Sequence, residues 1–165
     1  MKVDINVKIT EKDLNSFMLY HNYAGFQGKL SIVLGILAII ASVSTYGKVD
    51  TIYTIAYVAF GIILIVYTPV SIKMRSKKQF LLTPVFKEPI HYTIDEEGIQ
   101  AQIGDQQTKA EWSNVLKVVI NSNYIFIYTT RINATILPKS ELGESCDKII
   151  EIIKSNVDKS RTKIK

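Results

Sequence analysis

Residues 30–46 read LSIVLGILAIIASVSTY, and residues 51–70 read TIYTIAYVAFGIILIVYTPV. Neither stretch holds a charged side chain, although the 165-residue chain as a whole is 21% charged. A helix needs roughly 20 apolar residues to cross a bilayer core about 30 Å thick. The second stretch has this length, and the first approaches it with its flanks. We therefore expect two transmembrane helices within residues 29–72.

The two expected helices form a hairpin, because only residues 47–50 separate them. A link this short makes them antiparallel neighbours. Small residues in the first stretch would let the backbones approach closely, namely Gly35, Ala38, Ala41 and Ser42. The first stretch is not expected to be a signal peptide, since it begins about thirty residues into the chain and follows several acidic residues.

Basic residues predict the orientation. Nine of them flank the hairpin outside its connecting loop, whereas the loop itself carries only Lys48. The nine are Lys2, Lys8, Lys12, Lys29, Lys73, Arg75, Lys77, Lys78 and Lys87. Because Lys and Arg collect on the cytoplasmic side of membrane helices, both termini are expected in the cytoplasm and the protein in the cell membrane.

The net charge of +5 also bears on the expected partners. The basic residues cluster beside the apolar stretches, which favours a bilayer with anionic headgroups as the partner over nucleic acid. Lys73, Arg75, Lys77 and Lys78 are the candidate lipid contacts, and each would contribute about 1 kcal/mol near an anionic surface. The alternative, that these charges only set the topology, remains open.

Residues 2–9 alternate polar and apolar side chains, which predicts a half-buried β-strand. Its apolar row needs a buried face, and the hairpin returns the chain to the same side of the membrane. We expect the strand to join the sheet of the C-terminal domain, with pairing to a second copy in a homodimer as the alternative. Thr10 and Asp13 have capping-box spacing, so a helix should begin at Glu11.

Short alternating segments predict an antiparallel sheet at residues 90–95, 99–103, 108–112, 115–120, 124–128 and 134–137. Gly98 is expected in a left-handed position at the first turn, and Ser140 is expected to cap a final helix. The chain then divides into a cytoplasmic strand and helix (1–28), the hairpin (29–72), the sheet domain with its C-terminal helix (73–158) and a basic, irregular tail (159–165).

No residue set predicts a catalytic, cofactor-binding or metal site. His21, His91 and Cys146 are too scattered for a metal centre, which needs clustered ligands. The carboxylates of Asp95-Glu96-Glu97 are adjacent in a turn and are expected to be solvated. Recognisable serine-nucleophile and phosphate-loop motifs are also absent from the sequence. We therefore expect that the protein is not an enzyme.

Two single residues each allow two interpretations. Trp112 is either a core aromatic beneath the C-terminal helix or a membrane-facing anchor. Lys139 is either a solvated residue beside a helix start or a ligand contact. In each case the first interpretation is favoured.

Six short motifs mark the C-terminal region: Tyr92-Thr93-Ile94, Glu97-Gly98-Ile99, Trp112-Ser113-Asn114-Val115, Lys117-Val118, Tyr124-Ile125-Phe126-Ile127-Tyr128 and Ile136-Leu137-Pro138-Lys139. Together they resemble the YcxB-like family of bacterial membrane proteins over about residues 90–155. The resemblance implies a pleckstrin-homology-like (PH-like) fold, a bent antiparallel sheet capped by a C-terminal helix. These motifs are fold markers, and a fold does not by itself determine a function.

The sequence as a whole predicts an α+β membrane protein: a two-helix transmembrane hairpin with a cytoplasmic PH-like antiparallel β domain capped by a C-terminal helix. The expected role is a non-enzymatic, membrane-tethered interaction module that binds an unidentified protein or lipid headgroups. The alternative is an accessory subunit of a transporter or an immunity-type protein. A lipid-acting enzyme is disfavoured, because no polar cluster can be assembled at the membrane-proximal loops.

Overall fold

The computed structural model describes residues 1–164 and shows a mixed α+β protein. In chain order the elements are β1 (Val3–Val7), α1 (Glu11–Ala24), α2 (Phe26–Thr45), α3 (Thr51–Leu82), β2 (Ile90–Ile94), β3 (Gly98–Ile103), β4 (Gln106–Glu111), β5 (Lys117–Ile120), β6 (Tyr124–Tyr128), β7 (Ala134–Pro138), α4 (Lys139–Leu142), α5 (Ser145–Asn156) and β8 (Thr162–Ile164). Two compact units result. The hairpin unit is Asn15–Gln79, and the sheet unit joins Met1–Leu14 to the chain from Phe80 onward.

Two long apolar helices, α2 and α3, make up most of the hairpin unit. Helix α2 begins before the predicted span 30–46 and ends at Thr45, whereas α3 begins where predicted and continues beyond the predicted span 51–70 to Leu82. Helix α3 continues past its apolar part because Lys, Met, Arg, Gln and Leu are good helix formers. It ends shortly before Pro84, and proline disfavours helical backbone in the residue that precedes it.

The two helices approach closely at a pair of glycines. A Cβ atom added to Gly61 would lie 2.8 Å from the carbonyl oxygen of Gly35, and one added to Gly35 would lie 2.6 Å from the side chain of Ile65. Of the four small residues that the sequence predicted at the helix contact, Gly35 and Ser42 are buried, and Ala38 and Ala41 are half-buried. The crossing therefore depends on the lack of a side chain at both glycines.

Helix α1 begins at Glu11, as predicted. The amide of Thr10 donates to Asp13 Oδ2 (2.8 Å), and the amide of Asp13 donates to Thr10 Oγ1 (3.3 Å). This reciprocal pair is a capping box, which satisfies amides that lack a partner within the helix. Within the hairpin unit, Asn15 of α1 accepts a hydrogen bond from the buried hydroxyl of Ser76 on α3 (3.3 Å), so the two helices pack together.

The sheet unit contains two four-stranded sheets. Sheet A has the order β1-β2-β3-β4 and is antiparallel throughout. Strand β1 pairs with β2 from Val3 opposite Ile94 to Val7 opposite Ile90, and its apolar row is buried. The prediction that the opening strand joins the sheet of the C-terminal domain is confirmed, and its partner strand belongs to the same chain.

Sheet B has the order β7-β6-β5-β8, with β8 parallel to β5 and the other pairs antiparallel. Its central strand β6 is buried from Ile125 to Tyr128, as expected for a strand that is apolar on both faces. Helix α5 contributes Ile149, Ile152 and Ile153 to the core of the sheet unit.

Gly98 does not adopt the left-handed backbone that the sequence predicted. It is the first residue of β3, and its φ angle is not positive. Glycine is needed there for space, because a Cβ atom would lie 2.2 Å from the carbonyl oxygen of Ala110 on β4. The preceding turn is held instead by Asp95, whose Oδ1 accepts hydrogen bonds from the amides of Glu97 (2.9 Å) and Gly98 (3.0 Å).

The C-terminal segments also differ from the prediction. Ser140 lies inside the short helix α4 and is not a cap, since Gly143 (φ 51°) ends that helix and α5 begins at Ser145. The tail, expected to be irregular, forms a 3-10 turn at Lys159–Arg161 and then β8 beside β5. A three-residue strand has too little alternation to be recognised in a sequence. Lys165 lies outside the described residues.

The contact at Gly98 predicts a specific loss of stability. Gly98→Ala should lower the free energy of unfolding of the sheet unit by about 2–3 kcal/mol, because the new methyl group overlaps backbone atoms that cannot rotate away. Gly104→Ala is the matched control. Gly104 has a φ of 54° with no atom near its added Cβ, so only backbone strain of about 1 kcal/mol is expected.

Urea unfolding of the full chain in detergent, followed by the fluorescence of Trp112, measures both variants, since Trp112 is the single tryptophan and belongs to the sheet unit. An equal loss in the two variants would contradict the close approach of β3 to β4 at Gly98.

Candidate lipid-contact surface

The four basic candidates lie on α3, in the turns that follow its apolar part. All four side chains are exposed: Lys73, Arg75, Lys77 and Lys78. Ile72 and Ser76, four residues apart on one side of the helix, are buried. Because α1 packs on this buried side through Asn15, the remaining circumference of α3 is left to the basic side chains. We refer to residues 73–78 as the basic turn.

Met74 lies within the basic turn and was not identified from the sequence. Successive residues of a helix are about 100° apart, which places Met74 between Lys77 on one flank and Lys78 on the other. Its side chain is 69% exposed. An exposed apolar group between cations suits the boundary between lipid headgroups and acyl chains. The sequence did contain a signal for this role, because Met74 is an apolar residue between Lys73 and Arg75. A helical turn exposed to water would favour a polar residue at that position.

The basic turn has no acidic partner in the hairpin unit. None of its four cations forms a salt bridge within residues 1–164. Asp50 is the one acidic residue between Asn15 and Gln79, and it belongs to the loop at the opposite end of the hairpin. The positive charges are therefore uncompensated, and they act over a screening length of about 8 Å at physiological salt.

The apolar surface of α2 and α3 is largely exposed. Over the 18 most apolar consecutive residues of each helix, only 17% of the residues are buried in α2 and 11% in α3. A core helix of a soluble protein would be mostly buried. By length and composition, both helices could cross a membrane. Among residues 1–164, the large apolar side chains that are exposed lie between Phe26 and Met74, with six exceptions: Met1, Leu81, Leu82, Leu116, Ile132 and Ile164.

The acidic turn considered as a catalytic candidate has structural partners. Asp95 holds the turn through two backbone amides, as described above. Glu97 forms an exposed salt bridge with Lys109, and this hydrogen bond raises the pKa of the Lys109 ammonium group. These contacts give Asp95 and Glu97 structural roles in the turn and at the neighbouring strand.

The two faces of β2 differ sharply in polarity. On the outer face, His91 Nδ1 lies 2.9 Å from Asn6 Oδ1, and the Thr93 hydroxyl donates to Asp4 (2.5 Å), which lowers the pKa of that carboxyl. On the inner face, Tyr92 is buried, and burial raises the pKa of its hydroxyl to about 12. The outer face is thus a hydrated polar surface made of cross-strand pairs.

Trp112 is a core residue, so the membrane-facing interpretation is wrong. Its side chain is 3% exposed, and Nε1 donates to the carbonyl oxygen of Asp95 (2.9 Å). It begins a 3-10 turn after β4 rather than ending the strand. Lys139 is half-buried at the start of α4, and its amide donates to the carbonyl oxygen of Asn123 (2.9 Å).

A family model described as YcxB-like protein matches residues 94–154, from the last residue of β2 into α5. The resemblance drawn from the sequence motifs is confirmed over this segment. The match includes five of the seven strands that follow the hairpin and leaves out β1, α2 and α3. No curated protein matches the chain significantly.

The exposure of the basic turn predicts a preference for anionic lipid. Replacement of Lys73, Arg75, Lys77 and Lys78 by glutamine should strongly lower the selectivity for phosphatidylglycerol over phosphatidylcholine, since each cation contributes about 1 kcal/mol, or roughly five-fold, at low salt. Spin-labelled lipids in reconstituted vesicles measure the selectivity. The charge-conserving variant Lys73→Arg, Lys77→Arg, Lys78→Arg is the control and should retain it. Unchanged selectivity in the glutamine variant would show that these charges do not contact lipid.

Proposed function

We propose that this chain, whose residues 94–154 belong to the YcxB-like family, is a bacterial multi-pass membrane protein that serves as a non-enzymatic, membrane-tethered interaction module. Helices α2 and α3 cross the cell membrane, and the sheet unit lies in the cytoplasm. The exposed apolar surface of the hairpin is the observation that carries this proposal.

A bilayer is the environment that such a surface favours. Burying a large aliphatic or aromatic side chain contributes about 1.5–3 kcal/mol relative to leaving it in water. The hairpin would forgo this gain at many positions between Phe26 and Met74 if it stayed in water. Helices also satisfy their own backbone hydrogen bonds, as the bilayer core requires.

Two observations support the proposed topology, the first for the cytoplasmic side and the second for both termini being on one side. The first is the excess of Lys and Arg on the outer flanks of the hairpin over Lys48 in its loop. The second is the pairing of β1 with β2. Strand β1 precedes the hairpin in the chain, and β2 follows it. The two strands can pair only on the same side of the membrane, so the chain between them must cross the membrane an even number of times.

The sheet unit fits an interaction module better than a catalyst. Two four-stranded sheets with a C-terminal helix agree with the PH-like fold implied by the family resemblance. Its partner is an unidentified protein or lipid headgroups. The non-enzymatic role is supported by the structural partners of Asp95 and Glu97, which are the backbone amides of the turn and Lys109.

The topology is tested by single cysteines in a chain whose own Cys146 is replaced by serine. Val49→Cys, in the hairpin loop, should react with a membrane-impermeant maleimide in intact cells. Asp105→Cys, in the exposed β3–β4 turn, should react only after lysis, because it lies behind the membrane.

Alkaline carbonate extraction of the same membranes checks insertion separately. Labelling of position 105 in intact cells would reverse the proposed orientation. Release of the protein into the soluble fraction would refute the membrane-spanning hairpin itself.

A further inference from the structure

One end of sheet B carries a group of apolar and basic residues, of which Leu116, Arg131 and Ile132 are exposed and Lys117 is half-buried. The amide of Leu116 donates to the carbonyl oxygen of Tyr128 (2.8 Å), and Lys117 lies opposite Tyr128 in the β5–β6 register. Tyr128 in turn lies opposite Ala134 of β7. The turn of residues 129–133 and the start of β5 are therefore at the same end of the sheet. We refer to Leu116, Lys117, Arg131 and Ile132 as the β6–β7 tip.

The turn holds its outermost residues in a defined conformation. The hydroxyl oxygen of Thr130 accepts hydrogen bonds from the amides of Ile132 (3.3 Å) and Asn133 (2.9 Å), and the amide of Thr130 donates to the carbonyl oxygen of Asn133 (3.4 Å). These bonds satisfy the local backbone and leave the side chains of Arg131 and Ile132 projecting outward. Because the backbone of the turn is already ordered, it would lose little conformational entropy on binding a partner.

The apolar members of the tip are unusual for this unit. Ile132 is 69% exposed and Leu116 is 53% exposed, although the other large apolar side chains of β5, β6 and β7 are mostly buried. Away from the hairpin, only six large apolar residues among those described are exposed, and two of them lie at this end of sheet B. Apolar groups placed together at the end of a sheet mark a surface that gains from a less aqueous environment.

The charge around the tip is mainly positive. No Asp or Glu occurs from Trp112 to Ser140, and Lys117 and Arg131 both lie at the tip. Arg161 also donates to the carbonyl oxygen of Val115 (2.9 Å), and Asp158, the acidic residue that this contact brings near, is paired with Arg161. The ammonium group of Lys117 lies 4.3 Å from the centroid of the Tyr128 ring, so its position is fixed close to the sheet. The acidic residues 95–97 belong to a turn of the other sheet. An anionic surface is therefore the complementary partner.

From these observations we propose that the β6–β7 tip is a second lipid-contact site, which docks on the anionic surface of a bilayer. Ile132 and Leu116 enter the boundary between headgroups and acyl chains, while Arg131 and Lys117 lie at the level of the phosphates. The inference rests on the proposed function only in requiring that the sheet unit stays near a membrane. It adds a contact made by the sheet unit itself, distinct from the basic turn of α3.

Depth-dependent quenching of a fluorescent label tests the proposal with the full chain. In the Cys146→Ser background, Asn133→Cys carries the label beside the tip, since only the backbone of Asn133 is used in the turn. Ser122→Cys is the matched control, because it is exposed in the turn at the opposite end of β6. The vesicles contain phosphatidylglycerol, phosphatidylcholine and a lipid with a nitroxide on its headgroup.

The label at position 133 should be quenched several-fold more strongly than the label at position 122. Ile132→Asn, or Arg131→Gln combined with Lys117→Gln, should remove most of that difference, as should vesicles made of phosphatidylcholine alone. Equal quenching at both positions, or a difference that survives these changes, would overturn the proposal. Because both labels are in one sheet, this comparison is separate from whether the hairpin crosses the bilayer, which the cysteine labelling and carbonate extraction decide.

Discussion

The pairing of β1 with β2 is the constraint on which the rest of the architecture depends. The two strands are neighbours in sheet A, yet the hairpin unit, Asn15–Gln79, lies between them in the chain. The intervening chain must therefore leave the sheet and return to the same edge. A pair of membrane-crossing helices with a short loop meets this requirement, whereas a single crossing would separate the two strands. The sheet pairing therefore constrains the membrane topology that we propose.

The hairpin in turn depends on the close contact of Gly35 with Gly61. In the bilayer that we propose for these helices there is no hydrophobic drive between apolar surfaces, so van der Waals contact between small residues would be the main attraction. The outward surfaces of α2 and α3 remain apolar, and the positive charge collects where α3 continues beyond its apolar part. The basic turn and the β6–β7 tip would then provide lipid contacts from two separate parts of the protein.

Much of this fold could be predicted from the sequence, because its strongest signals are long or strictly periodic. The two uncharged stretches, the alternation of residues 2–9 and the capping box at Thr10 each require one particular local structure. Gly98 shows where such reasoning stops. A glycine after an acidic turn suggests left-handed backbone, but the actual reason for it is the approach of Ala110 on another strand. Strand β8 was missed because its formation depends on β5, not on its own three residues.

The candidate site was less predictable than the fold. The positions of Lys73, Arg75, Lys77 and Lys78 followed from the charge count, whereas the exposure of Met74 required the helical geometry of α3. The β6–β7 tip could not be recognised at all, since Leu116 and Ile132 resemble ordinary core residues in the sequence. Their exposure becomes visible only when the strand register places both at one end of sheet B.

A disulfide crosslink between β1 and β2 in native membranes tests the central claim most directly. Asp4 and Thr93 are register partners whose side chains are in contact on the outer face of sheet A. With Cys146 replaced by serine, Asp4→Cys with Thr93→Cys should form an intrachain disulfide under a mild oxidant, identified by mass spectrometry of the linked peptides. Asp4→Cys with Gln100→Cys, where Gln100 is the partner of Thr93 on β3 and lies one strand farther from β1, should link far more slowly. A 4–93 link found only between two copies, or no link at all, would contradict the account.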